Sequence, residues 1–257
     1  MALDSINYTY FLLLLMRMSG CVFFNPIFGR KVIPVTIKTG LVLILTVTVY
    51  GAIGITSKIE ISSTVELVLM IFKELLIGFI IGYIMNLFFG IVALAGEVVG
   101  MQMGLSMSQI YDPSSNVSMG LVGTFLNILM MFVFFEGNGH IQLIQIIMTS
   151  CKLIEIGQFT IGAEVFKTLV EMFSTMLILS MKLSMSLVAV EIILEAGVGI
   201  LMNAIPQIQV FTVNVQLKII IGLILLVILI PSFTGFIEKI LELMFDTIKN
   251  SLEIIGG

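Results

Sequence analysis

The sequence predicts an all-α integral membrane protein, with about six long apolar helices arranged as hairpins and a C-terminal amphipathic helix. Three observations predict it. Of 257 residues, 59% are hydrophobic and only 11% are charged, whereas soluble domains carry roughly 25% charged residues. Mean hydropathy is +1.19, and a soluble fold of this length would need more polar surface to cover its core. Most of the apolar residues come in runs close to the ~20 residues that cross a bilayer as a helix.

The runs follow in order. The first covers residues 8–28 and holds one charge, Arg17. Residues 1–16 contain no Lys or Arg, and no small-residue cleavage site follows, so this run is expected to be a retained helix rather than a signal peptide. The second run is 37–55, and the third is 65–95 with Lys73 and Glu74 near its start. The fourth, 119–135, is short, and the still shorter 141–154 is expected to pair with it through a turn at Gly137-Asn138-Gly139. The fifth, 165–196, carries Lys182, Glu191 and Glu195, and the sixth, 218–236, has Pro231 near its end.

Residues 1–236 therefore form one membrane-associated helical domain, and 237–257 a separate amphipathic helix. In that helix Ile237, Ile240, Leu241, Met244, Ile248, Leu252 and Ile255 recur at helical spacing. Glu238, Lys239, Glu242, Asp246, Lys249 and Glu253 occupy the other side. Four acids against two bases disfavour an anionic lipid surface, so the apolar stripe is expected to dock on a partner protein.

Net charge is −4, and the scattered bases leave no electrostatic footprint for nucleic acid. Arg30, Lys31 and Lys38 in the first loop argue for an outside N-terminus, yet alternating spans then put more bases outside than inside. One resolution is that some apolar helices are buried in protein instead of lipid. Cys21 and Cys151 are expected to be buried free thiols. His140 has no clustered second ligand and reads as a helix-start residue. No catalytic, cofactor or metal-binding motif is present, so catalysis has no support.

The stretch 96–118, GEVVGMQMGLSMSQIYDPSSNVS, is the most unusual. Gly96, Gly100, Gly104 and Ser108 lie four apart and on a helix make one smooth face for close packing. Asp112-Pro113 then forces a turn, kept polar by the following Ser-Ser-Asn. The segment starts as a helix and ends as a loop. Two readings stay open: tight packing followed by an ordinary loop, or a loop entering a pore, with methionines as deformable seal material. Arg17, Lys182, Glu191 and Glu195 are costly within apolar helices unless paired or hydrated. Inter-helix or inter-subunit pairing, an ion pathway, and placement at the water interface are the readings for them.

Several fragments, in order and spacing, resemble one family. Arg17-Met18-Ser19-Gly20 is followed by Pro26-Ile27-Phe28-Gly29 and Pro34, then Gly96, Gln102-Met103-Gly104-Leu105 and Asp112-Pro113. Asn138-Gly139-His140, Ile205-Pro206-Gln207, Val210-Phe211 and Lys218 complete the set. Together they are similar to the FliR/SctT family of type III secretion export-gate subunits. The chain departs from the family pattern at Asn203, Gln209 and Gln216, where Arg, Asn and Pro are frequent.

The resemblance implies a pore-forming structural subunit of the flagellar type III export gate, conducting unfolded substrates across the bacterial inner membrane at the flagellar basal body. It implies one copy joined to several FliP-like and FliQ-like subunits in a helical hetero-oligomeric assembly, partly lifted out of the bilayer, with FlhB-like and FlhA-like neighbours. The family's plug loop corresponds to the stretch around Gly104 to Ser118, with Gln102, Met103, Gly104, Met107, Tyr111, Asp112, Pro113 and Asn116 as gate candidates. A secondary transporter using the intramembrane Arg, Lys and Glu residues, and a passive membrane scaffold, are the alternatives.

Overall fold

A computed structural model describes residues 8–53, 63–105, 120–157, 163–204 and 210–256. Among the described residues every regular element is a helix: α1 (Tyr8–Phe23), α2 (Val35–Ile53), α3 (Thr64–Gln102), α4 (Leu121–Glu136), α5 (Gly139–Leu153), α6 (Ala163–Ala204), α7 (Val210–Ile228) and α8 (Ile230–Gly256). Among the described residues three helices are long and apolar enough to cross a membrane, or up to five if each of two bent pairs counts as one span. The chain is an integral membrane helical protein. α3 has 39 residues and α6 has 42, which at 1.5 Å per residue makes each about 60 Å long, twice the hydrocarbon core.

Element ends follow local chemistry. α1 stops at Phe23, short of the apolar run's end at Phe28, because Asn25 captures the backbone. Its Oδ1 accepts from Ile27 N at 2.8 Å and Phe28 N at 3.2 Å, and Pro26 has no N–H to continue a helix. The turn expected at 137–139 is where α4 gives way to α5, and Asn138 there adopts a left-handed φ of 56°. Pro231 does not end the last span. It lies in the first turn of α8, where a missing N–H leaves no helix bond unmade, so the amphipathic helix begins at Ile230 rather than after Phe236.

The described contacts form two compact units. The first draws on Met1–Phe88, Asn138–Phe173 and Leu241–Gly257. In it, Tyr10 and Phe11 of α1 set their rings edge-on to Tyr50 of α2, at centroid distances of 6.0 and 5.8 Å. α1 crosses α3 in backbone contact: a Cβ on Gly20 would stand 2.6 Å from Leu75 O and 2.8 Å from Phe79 N. α2 buries only a narrow stripe, Lys38, Val42, Thr46 and Val49, and Lys38 Nζ bonds Gly29 O at 2.9 Å. The second unit, Phe89–Gly137 with Ser174–Ile240, packs Phe89 against Phe134 at 6.2 Å between ring centroids.

The amphipathic helix corrects one expectation. Its stripe of Ile237, Ile240, Leu241, Met244, Ile248, Leu252 and Ile255 is buried within this chain. The charged face, Glu238, Lys239, Glu242, Asp246, Lys249 and Glu253, is what remains exposed. The apolar stripe needs no partner protein because the chain itself covers it, with Gly256 lying close to the Leu153 carbonyl.

Candidate functional site

The 96–118 segment begins on a fixed base in the second unit. α3 runs through Gly96 and Gly100 and stops at Gln102. Gly104 then turns left-handed with φ 79°. Leu105 N bonds Gly100 O, and Gly104 N bonds Met101 O, each at 3.0 Å. This six-to-one and five-to-two pairing is a Schellman motif, which uses glycine because the turn requires positive φ. Gly104 is therefore the residue that ends the helix, and the smooth glycine face extends only as far as Gly100. Met107, Ser108, Tyr111, Asp112, Pro113 and Asn116 lie outside the described residues.

The far end of the segment returns to the same place. Gly120 caps α4 without a side-chain hydrogen bond of its own. Its N–H donates to Oε1 of Glu97 on α3, placing a carboxylate where the positive end of the α4 dipole favours one. One turn into α4, Gly123 lies against Gly96, and a Cβ on Gly96 would overlap the Gly123 backbone. The chain on either side of residues 106–119 is thus joined by a glycine–glycine crossing and a carboxylate cap. Sequence reasoning singled out Gly96 but missed Gly123 and Glu97. The signal was a second small residue, Gly123, just inside the next helix.

Inside the base, Met103 is wholly buried. Its thioether end packs on Gly222 of α7, where a Cβ would lie 2.5 Å from Met103 Cε and 2.9 Å from Glu191 Oε1. Glu191 of α6 is fully buried, and neither carboxylate oxygen has a hydrogen-bond partner among the described residues. Glu195, one turn on, is exposed and bonds Lys218 of α7 at 3.2 Å. Lys182 is exposed on α6 and makes no ion pair among the described residues.

In the first unit Arg17 is fully buried and forms a fork with Glu74: Nε to Oε2 at 2.6 Å and Nη2 to Oε1 at 3.2 Å. Nη1 also donates to Ser150 O at 2.9 Å and Ile154 O at 3.2 Å, carbonyls at the C-terminal end of α5. Glu74 Oε1 in turn accepts from Gly157 N at 2.8 Å. One ion pair therefore ties α1, α3 and the end of α5 together, with Ile154 O satisfied by Arg17 and Ser150 O shared between Arg17 and the backbone N–H of Ile154. Glu74 was not among the sequence candidates. The signal was its place inside the third apolar run, where a carboxylate needs a partner. Cys21 and Cys151 are buried free thiols in this unit.

Among the described residues no cluster of three or more His, Cys, Asp or Glu could hold a metal. His140 falls in the first turn of α5. The chemistry available is that of shape and charge pairing between helices.

Apolar helices longer than a bilayer is thick, cross-tied by buried charges and close glycine crossings, define a polytopic helical membrane protein. The chain belongs to the family of bacterial export proteins, family 1, which it matches over residues 8–244. It is similar to the flagellar biosynthetic protein FliR of Bacillus subtilis (strain 168), with 27% identity over 96% of this chain and 95% of that protein. The flagellar biosynthetic protein FliR of Aquifex aeolicus (strain VF5) is 30% identical, over 90% of this chain and 91% of its own length. The Yop proteins translocation protein T of Yersinia pestis is 24% identical, over 95% and 94%. These relatives bear out the FliR/SctT resemblance read from the motifs, and the chain is a membrane component of a type III export apparatus.

Proposed function

We propose that this chain is a pore-forming structural subunit of a flagellar export gate, conducting unfolded substrates across the bacterial inner membrane. It works in a hetero-oligomer with FliP-like and FliQ-like subunits, next to FlhB-like and FlhA-like proteins. The segment 102–118 is its plug. Gln102, Met103 and Gly104 are the anchored start, and Met107, Tyr111, Asp112, Pro113 and Asn116 are the closing part.

The observation that supports this reading is the loop base. A conduit wide enough for an unfolded chain leaks ions unless something fills it when idle. A filling segment has to be held at both ends while its middle adapts. Glu97 with Gly120, and Gly96 with Gly123, hold the two ends together, and buried Met103 anchors the start. Methionine suits the rest because its unbranched thioether packs against irregular shapes.

The test is deletion of residues 110–117 in cells expressing the whole gate. Ion flux or small-molecule uptake should rise while the complex still assembles. Assembled complexes with unchanged permeability would remove the plug reading and leave the segment as a packing loop.

A further inference from the structure

Met103 is fully buried and directly precedes Gly104, where the chain leaves α3 through a left-handed turn. Its seat is built by α6 and α7, which run antiparallel there within the second unit. Glu195 of α6 pairs with Lys218 of α7. Four residues back along α6 and four on along α7, Glu191 faces Gly222. The seat exists because position 222 carries no side chain. A Cβ there would stand 2.5 Å from Met103 Cε, 2.8 Å from Met103 Cγ and 2.9 Å from Glu191 Oε1. The thioether and the carboxyl group therefore meet over the same bare stretch of backbone.

The floor of this seat is chemically unfavourable. Glu191 is enclosed, yet neither carboxyl oxygen has a hydrogen-bond partner among the described residues. Lys218, one turn before Gly222, is engaged by Glu195. Met103 presents carbon and sulfur and donates nothing. A carboxyl group, charged or neutral, has lost its water here and gained no bond in return. An apolar side chain at 191 would carry no such cost. Burial of the Met103 side chain favours the seated state, and the unpaired carboxyl opposes it by an amount of similar size.

We infer that Glu191 is a release device for the end of α3: its unpaired carboxyl weakens the seat of Met103, so that residues 103–105 disengage from α6 and α7 without unfolding the unit. When Met103 withdraws, water enters the space its end vacates and reaches the Glu191 oxygens. An apolar floor would make the same seat a permanent anchor, which a conduit that has to open does not want. The inference deepens the plug reading and rests on it only for the consequence for flow.

The test uses the assembled complex and backbone hydrogen–deuterium exchange. Met103 N bonds Val99 O, Gly104 N bonds Met101 O and Leu105 N bonds Gly100 O, so these amides exchange only when the end of α3 opens. Residues 84–92 of α3 serve as the internal reference. Glu191→Met should slow exchange at 103–105 by roughly tenfold, because the seated state no longer holds an unsatisfied group. Glu191→Leu should slow it as well, so the result does not hang on one replacement side chain. Gly222→Ala should speed exchange at the same amides, because the added methyl takes the space of the movable end of Met103. Unchanged or faster exchange in both Glu191 variants would overturn the inference. So would unchanged exchange in an assembled Gly222→Ala complex. Substrate export and ion leak are measured on the same complexes. Slower exchange with unaltered export and leak would leave the release device standing and count against the plug.

Discussion

Arg17 Nε and Glu74 Oε2 meet at 2.6 Å, with both side chains wholly shielded from solvent and 57 residues apart in the chain. A glycine on each helix brings them together. Gly20 lies three residues after Arg17 and Gly78 four after Glu74, and at that crossing the backbones of α1 and α3 touch. With side chains there, the helices would stand farther apart and the fork would open. Close packing thus sets the distance, and the charge pair fixes the register.

Breaking the pair should be costly in a specific way. Arg17→Met or Glu74→Leu alone leaves one charge buried without its partner, a loss of about 3–5 kcal/mol. The double substitution should recover part of this, but not all. Ile154 O loses its donor with Arg17, and Gly157 N its acceptor with Glu74, so the double variant leaves both unpaired. Protease resistance of the chain in the assembled complex, measured for the full double-mutant cycle, checks this; equal losses for single and double variants would contradict it.

Gly78→Ala should destabilise by about 1–3 kcal/mol, because the added methyl meets backbone that cannot rotate away. Gly40→Ala in α2 is the control. Nothing lies within 4 Å of a Cβ there, so it should be neutral or stabilising by up to ~1 kcal/mol through helix propensity. Thermal stability of the purified complex distinguishes the two, and similar behaviour would refute the backbone-contact account.

Gly96→Val acts on the loop base. Its side chain would displace Gly123 and pull Gly120 from the Glu97 carboxylate. The complex should assemble yet leak small ions, the same outcome expected of the deletion of residues 110–117. Tight closure in an assembled Gly96→Val complex would separate the base from gating.

Glu191→Met removes a buried carboxylate that has no hydrogen-bond partner among the described residues. Burying such a group costs more than burying an apolar one of similar size, so assembly yield should hold or rise. A fall in yield would show that Glu191 contributes a stabilising contact within the complex.

Truncation after Ile240 removes a folded part of the protein itself. Leu241, Met244, Ile248, Leu252 and Ile255 are all buried, and each such side chain contributes roughly 1.5–3 kcal/mol. Chain levels in the membrane and protease resistance should fall before any effect on partner recovery is seen. A truncated chain of normal abundance that lost only a partner would restore the docking role first expected for this helix.

The amino-acid sequence alone determined the helical membrane class and most helix positions. These features are local. A helix bonds each residue to one four away, and run length and hydropathy report directly on crossing a bilayer; where α1 and α3 stop, through Asn25-Pro26 and Gly104, emerged only in the folded backbone. Tertiary structure decided what meets what: Glu74 as the partner of Arg17, Gly123 opposite Gly96, Lys218 beside Glu195, and the α8 stripe covered from within. Hydropathy cannot tell lipid from a protein interior, since both are apolar. The partners of a buried charge depend on the register between helices far apart in the chain, and that register is set by where their small residues let backbones touch.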